Sequence, residues 1–466
     1  MEIFPAPEGG AASPDYAVFV NGEPVFVYPT AIAAIATWAF DSAETGAVTV
    51  EIRPRSPYEI GAGELPTVRP LSRNIVAEAF GETVRIVLAV PQNLAVEFAG
   101  LPPLYLFASL PDRERPNPAD PTVHFFAAGK VHDAGDFLHL SDGQSVYIEG
   151  GAVLRNTGIR AANSTNVSVR GQGIMDASAL PYHTKRLLVF ENCDHVHVEN
   201  IVSVGSPTWN VVFGACRNVE VENVRLLTWQ VTGDGIDIVG SENVRVSDCF
   251  IRTNDDCVAV KSVNYVEGER AQTAATAGIV DWRGDVRNVV VERCVLHNDR
   301  AGNVLEIGYE TQCDTIENIV FLDCDVIAAH GYGGVFTIHN GDRATIRNVL
   351  YESIRVEHYF DLLVDIRVLH SRYSRDEKRG RIENIRFHDI SCVANGYNAP
   401  SVIGGFDEES PVENISFENF RVGETVVRNA SDLHLFTGAV RNISLGIKEA
   451  TPLPANRTDE TFHQKG

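Results

Sequence analysis

The chain has 466 residues, with 62 acidic against 39 basic side chains and a formal charge of −23. That balance argues against nucleic acid or an anionic membrane as partner, since both need clustered cations, and it disfavours a polyanionic substrate for the same reason. No apolar run approaches the roughly 18 residues of a membrane span, and the start Met1–Gly10 has neither a basic nor an apolar leader segment, so the expected location is cytoplasmic.

Residues 1–118 read as an N-terminal β-sandwich and its linker. Tyr16–Gly22, Ala47–Ile52, Val84–Val90 and Ala95–Phe98 are strand-like runs separated by turn residues. The proline-rich, charged stretch Leu110–Pro118 then breaks regular structure. The expected role of the sandwich is to cap the open edge of the domain that follows, with glycan binding as the alternative.

From 119 to 450 the chain repeats. Asn-Val or Asn-Ile pairs start at Asn166, Asn218, Asn243, Asn288, Asn318, Asn348, Asn384 and Asn414, with steps of 25 (218 to 243) and 30 (288 to 318, 318 to 348, 384 to 414). Each opens an alternating run such as Val219-Glu220-Val221-Glu222, and no helix-length amphipathic stretch lies between the anchors. One strand-rich coil per repeat makes an all-β solenoid, a parallel β-helix. Residues 451–466 read as a C-terminal tail. Cys249, Cys294 and Cys324 each fall six positions after an anchor Asn, and none of the eight cysteines forms a CxxC pair. They read as small core residues in a stack rather than disulfides or metal ligands.

A second strand follows in each coil: Ile236-Asp237-Ile238, Val258-Ala259-Val260, Leu305-Glu306-Ile307, Phe336-Thr337-Ile338 and Val364-Asp365-Ile366. Setting these in register puts Asp234, Asp256 and Asn303 in one column, with Asp255 beside them, and neighbouring strands lie roughly 4.8 Å apart. Singly, each aspartate is explained as a turn residue. Together they repel one another, which raises at least one pKa and keeps a proton available at neutral pH, as acid/base chemistry on a glycosidic bond requires. The same register makes one outward row of Asp237, Ala259, Glu306, Thr337 and Asp365, and another of Lys261, Gly308, His339 and Arg367. That face is the expected substrate floor.

Gly205–Asn210, Gly233–Ile238 and Asn254–Ser262, in that order and spacing, resemble the motifs of polygalacturonases, glycoside hydrolase family 28, and Val169–Asp176 is similar to an early coil of that family. The resemblance spans most of residues 140–350. It implies a right-handed β-helix, no metal or other cofactor, and hydrolysis by single displacement with inversion. It also implies Asp255 as the general acid and Asp234 with Asp256 as the bases that hold and activate water.

The departures concern the substrate. Asn303 stands where the family carries a helper histidine, and Gly334–His339 where it carries an Arg-Ile-Lys strand that grips a uronate. Loss of two fixed cations, with Glu306 on the same face, points to a neutral poly- or oligosaccharide, in the manner of the dextranase and isopullulanase group, whose members also pair a β-sandwich with a β-helix. Lys261 is a candidate to hold a hydroxyl or tune a carboxylate, and Asn303, Glu306, Glu310 and His339 are candidates to meet sugar hydroxyls. Trp209 reads as inward-facing core. Two interruptions of the period, Ser262–Asp285 with Tyr265, Trp282 and Arg283, and Leu369–Gly380, read as loops walling the cleft, which would favour exo action or short substrates. A uronate hydrolase, a β-helix lyase and a non-catalytic glycan-binding solenoid are the alternatives.

Overall fold

A computed structural model describes residues 1–55, 65–264, 281–394 and 399–446. The anchor asparagines explain the solenoid locally. Each of Asn218, Asn243, Asn288, Asn318, Asn348, Asn384 and Asn414 has a positive φ, between 54° and 61°, a conformation that asparagine tolerates better than most residues. Each also donates its side-chain amide to the residue one coil before, at 2.8 to 3.3 Å. One residue type thus bends the chain and ties successive coils together.

Most coils contribute three strands, one more than the periodicity reveals, and in the late coils the first two run together as Arg381–Cys392 and Val412–Val422. Glu242–Ser247 is followed by Phe250–Thr253 and then Val258–Asn264, and the next coil repeats the pattern with Val286–Glu292, Val295–Asn298 and Leu305–Thr311. The extra strand is short and buried throughout in the first of these coils, so it leaves no alternation to read. The first two strand types form a continuous 22-stranded sheet and the third a 12-stranded sheet. Both close around one apolar core from Leu140 to Leu433. Cys193, Cys216, Cys249, Cys294 and Cys324 lie in that core, and all eight cysteines are free and buried. Further along, Phe321, Tyr351, Phe387 and Phe417 stack with ring centroids 5.0, 4.8 and 4.7 Å apart. The 451–466 tail lies outside the described residues.

The N-terminal region is a sandwich of a five-stranded and a six-stranded sheet, but it does not sit as a cap on the first coil. Tyr28, Ile35, Ala95, Tyr105 and Phe107 pack on Val153, Val202, Leu227, Phe250, Val295 and Ile327, outward residues of successive coils. The sandwich therefore lies along the flank of the solenoid. Arg225, fully buried in this contact, donates to Asn93 Oδ1 at 2.9 Å, Ser109 Oγ at 2.8 Å and Asn200 O at 2.9 Å. Burial lowers its pKa to about 9, and these three acceptors replace the water it loses. The reason for the displacement is the apolar outer row of the short second strands, which needs a cover more than the solenoid end does. No helix of the described residues is long and apolar enough to cross a membrane.

Candidate active site

Strands Ile236–Val239, Val258–Asn264 and Leu305–Thr311 pair in parallel, Ile236 with Val258 and Val258 with Leu305. Asp234, Asp256 and Asn303 each stand two residues before those partners, in the expected column. Backbone bonds extend the pairing into the turn, Gly235 N to Asp256 O and Cys257 N to Asn303 O, both at 2.9 Å. The turn that presents Asp255 is pinned by Thr253 Oγ1, which donates to Asp255 O at 2.6 Å, and by Asn254 Nδ2, which donates to Trp229 O at 2.8 Å. Gly302 on the next coil has φ +67°, and a Cβ there would come 2.3 Å from Asp255 Oδ1 and 2.5 Å from Asp256 N. Only glycine leaves room for the acid.

The three carboxyls have different surroundings. Asp234 Oδ2 accepts from Lys261 Nζ at 3.2 Å. Asp256 Oδ1 accepts from the backbone N–H of Asn303 at 2.6 Å and from its side-chain amide at 3.2 Å. Asp255, among the described residues, receives one bond, from the N–H of Asp256 at 3.1 Å. Burial raises all three pKa values well above the usual carboxylate range. Asp237 adds to the shift at Asp234, Asp234 and Asp256 at Asp255, and Asp234 and Glu306 at Asp256, while Lys261 opposes it at each. The Lys261 ammonium thus supports an anion on Asp234 and two Asn303 donors support one on Asp256, and Asp255 is left with a single backbone N–H.

Lys261 is almost fully enclosed. Its ammonium lies 2.6 Å from Asp237 Oδ1 as well as on Asp234, and 3.9 Å from the centre of the Trp209 ring. Asp237 carries no role in the sequence reading beyond its place in the outward row, yet it is wholly buried against this lysine, and its pKa is raised, by burial first. Its signal was an acid between two core residues of a strand. Trp209 corrects its expected place: it is half-buried, packed on an apolar patch outside the core with Trp282 and Val212. The indole is drawn there by the cation beneath it.

The floor beyond the acids is closed, which corrects the expectation of an open face. The Asp237, Ala259, Glu306, Thr337 and Asp365 row pairs as expected. The second row holds from Gly308 through His339 to Arg367 but breaks at Lys261: Val260 pairs Ile307 and Ser262 pairs Thr311, so Gly308, Tyr309 and Glu310 bulge opposite Lys261 alone. The bulge carries Tyr309 over His339, stacked at 4.2 Å and 5°, with Tyr373 of the Leu369–Gly380 loop against it at 5.5 Å. Underneath, His339 donates from Nδ1 to Glu306 at 2.9 Å and from Nε2 to Asp365 at 2.9 Å. Arg367 grips Asp365 at 2.6 and 2.5 Å. Burial pulls the His339 pKa down, but the two carboxylates outweigh it and hold it at about 9. Glu306 and His339 are fully buried and bonded to each other, and Glu310 is buried in the bulge. In the other loop Trp282 is buried against Gly214 and Arg283 pairs with Asp281, while Tyr265 lies outside the described residues.

The sequence profile described as "Glycosyl hydrolases family 28" matches residues 139–432. Similar proteins include a probable rhamnogalacturonase A of Aspergillus oryzae, 29% identical over 27% of this chain and 30% of that protein. Another is a probable polygalacturonase of Vitis vinifera, 31% identical over 21% of each. These alignments thus span under a third of the curated relatives. Among solved structures, Dex49A from Penicillium minioluteum superposes with TM-score 0.64 at 14% identity, over 95% of this chain and 96% of that one. The Yersinia enterocolitica family 28 exopolygalacturonase gives 0.51 at 12% identity over 96% of both. At such identities the likeness is one of fold.

Proposed function

The chain belongs to the glycosyl hydrolases family 28, and from that premise we propose that it hydrolyses a glycosidic bond of a neutral poly- or oligosaccharide with inversion at the anomeric carbon. Asp255 protonates the leaving oxygen. Asp234 and Asp256 hold a water on the opposite side and take its proton as it attacks. The observation that carries this division is the unequal support of the three carboxyls: Lys261 and Asn303 favour the anions of Asp234 and Asp256, and Asp255 has only a backbone N–H. An acid and a base held in one cluster with opposed preferences can both be in the working state at the same pH.

The neutral substrate is supported by the engagement of three cations on this face. Lys261 is bound by Asp234 and Asp237, His339 by Glu306 and Asp365, and Arg367 by Asp365. A uronate carboxylate binding any of these three would have to displace one of their acids. The second reading, a pectic uronate substrate, is favoured by the names of the relatives, a rhamnogalacturonase and a polygalacturonase.

The test is a panel of neutral α-glucans, galactans, arabinans and fructans alongside polygalacturonate, with product anomers followed by proton NMR. Inverted product from a neutral glycan, abolished in Asp255→Asn, is expected. Retained configuration, an unsaturated product, or full turnover by Asp255→Asn overturns the mechanism, and turnover of polygalacturonate alone replaces the substrate. Monomer or dimer as the sole early product marks exo action.

A further inference from the structure

We infer that Tyr332 and Phe360 form an aromatic shelf on which a sugar ring of the bound glycan stacks, two and three coils beyond the acidic column. Tyr332 is 80% exposed and Phe360 36%, and their rings meet edge to face at 5.9 Å and 77°. Leu305 pairs with Phe336 and Phe336 with Val364. Tyr332 and Phe360 stand four residues before their strand partners, as Asn254, the neighbour of Asp255, stands four before Val258. The shelf therefore occupies the same edge of the sheet as the general acid, and the coil spacing places it roughly 10 to 14 Å further along the solenoid.

The shelf is rigidly tied to the acid turn. Asn298, almost wholly buried, donates its side-chain amide to Asp255 O at 2.8 Å and to Ala301 O at 2.6 Å, while its oxygen accepts from Gly331 N at 3.3 Å. One side chain joins three successive turns. Glycines on either side of Tyr332 make the approach close: a Cβ on Gly331 would lie 2.6 Å from Asn298 Oδ1, and one on Gly333 would lie 2.0 Å from Gly302 O. Gly302 is the residue that makes room for Asp255. A side chain that exposes an apolar ring to water while its backbone is locked to the acid turn is built to meet something lying across the acids.

The chemistry of that partner follows from the ring. A stiff aromatic face with two rotatable bonds loses little entropy on contact, and it suits the C–H face of a pyranose or furanose, whose hydroxyls stay at the rim. A glycan running parallel to the solenoid axis from the cleavage point brings later sugar units over Tyr332 and then Phe360. This inference rests on the hydrolase reading for the direction of the glycan, and it names a subsite that the acids alone do not specify.

The experiment is calorimetric binding of graded-length oligosaccharides from the same neutral and uronate panel to Asp255→Asn protein, with and without Tyr332→Ala, Phe360→Ala or Tyr332→Phe. In the Asp255→Asn protein, affinity should step up at the length that first reaches the shelf. Tyr332→Ala should abolish that step, a loss on the order of tenfold. Phe360→Ala should remove a later one, and Tyr332→Phe should retain the first. Equal losses at every length, no loss, or no binding of any panel member to the Asp255→Asn protein overturns the shelf. The hydrolase reading fails on a separate result, undiminished turnover in Asp255→Asn.

Discussion

Two buried charge clusters sit on neighbouring coils of one sheet and differ in their arithmetic. In the first, four acids, Asp234, Asp237, Asp255 and Asp256, share Lys261, whose ammonium touches Asp234 and Asp237 and opposes the raised pKa of the other two, with a weaker attraction from Arg186 at Asp237. In the second, Glu306 and Asp365 face His339 and Arg367, two acids with two cations. Most of the acids in both are buried, so burial does not separate them. Charge balance does. The balanced cluster depresses the pKa of Asp365 despite its burial and holds His339 charged. The unbalanced one must leave protons on some carboxyls, and a proton held at neutral pH against a carboxyl's ordinary preference is what an acid catalyst needs.

The largest expected effect breaks the unbalanced cluster at Asp255, its proposed proton donor. Asp255→Asn should lower kcat on the order of 10²–10⁴-fold, the range of one general acid, as measured by product release from whichever glycan of the panel is turned over. The balanced cluster should answer differently. His339→Leu leaves Glu306 and Asp365 without their shared partner and should cost about 3–5 kcal/mol of stability by chemical denaturation. In the unaltered protein the stabilisation from a raised histidine pKa is fully present below the unfolded value of about 6.5 and is lost as pH rises through about 9. His339→Leu should flatten the unfolding profile over that window. A profile unchanged by the substitution would mean that the imidazole is not the ionised hub of its cluster.

The acid column could be read from the chain because the apolar triplets fix the pairing. A slip of one residue would turn Ile236, Val258 and Leu305 out of the core, so Asp234 and Asp256 had one place to go. The β-helix was legible for a related reason: successive coils solve the same bend, and Asn solves it in most of them, with His195 standing in at one. What was not legible depends on contacts between distant segments. The flank position of the sandwich is set by Val202, Leu227 and Phe250 on strands too short to show a period. The closed floor follows from a bulge at Gly308–Glu310, where Tyr309 swings over His339. Trp209 has the spacing of a core residue, and only the position of Lys261, two coils on, explains its outward ring.

A smaller effect sharpens the same contrast. Lys261→Met removes the cation that opposes the raised pKa of Asp234, Asp255 and Asp256 alike. The base must be ionised to work, so the acidic limb of the kcat/KM profile should move to higher pH. Activity near neutrality should drop on the order of tenfold and recover in alkaline buffer. A merely structural lysine would lower activity evenly at all pH values. The two outcomes separate on the shape of the profile, not its height.

The smallest expected effect concerns stability in the unbalanced cluster. Burial and like charge hold the Asp255 pKa above the unfolded carboxylate value, about 3.9. Between those two values the unfolded chain releases a proton that the folded chain keeps, so this group's contribution to stability falls as pH rises. Asparagine has no proton to lose and removes that penalty. Asp255→Asn should therefore be more stable than the unaltered protein at pH 7, by about 1–2 kcal/mol, with the difference closing as pH falls towards 4. Thermal unfolding of both proteins across that range reads the sign directly. A variant less stable at neutral pH would mean that Asp255 is a satisfied anion in the folded chain, and the assignment of the proton donor would pass to another member of the cluster.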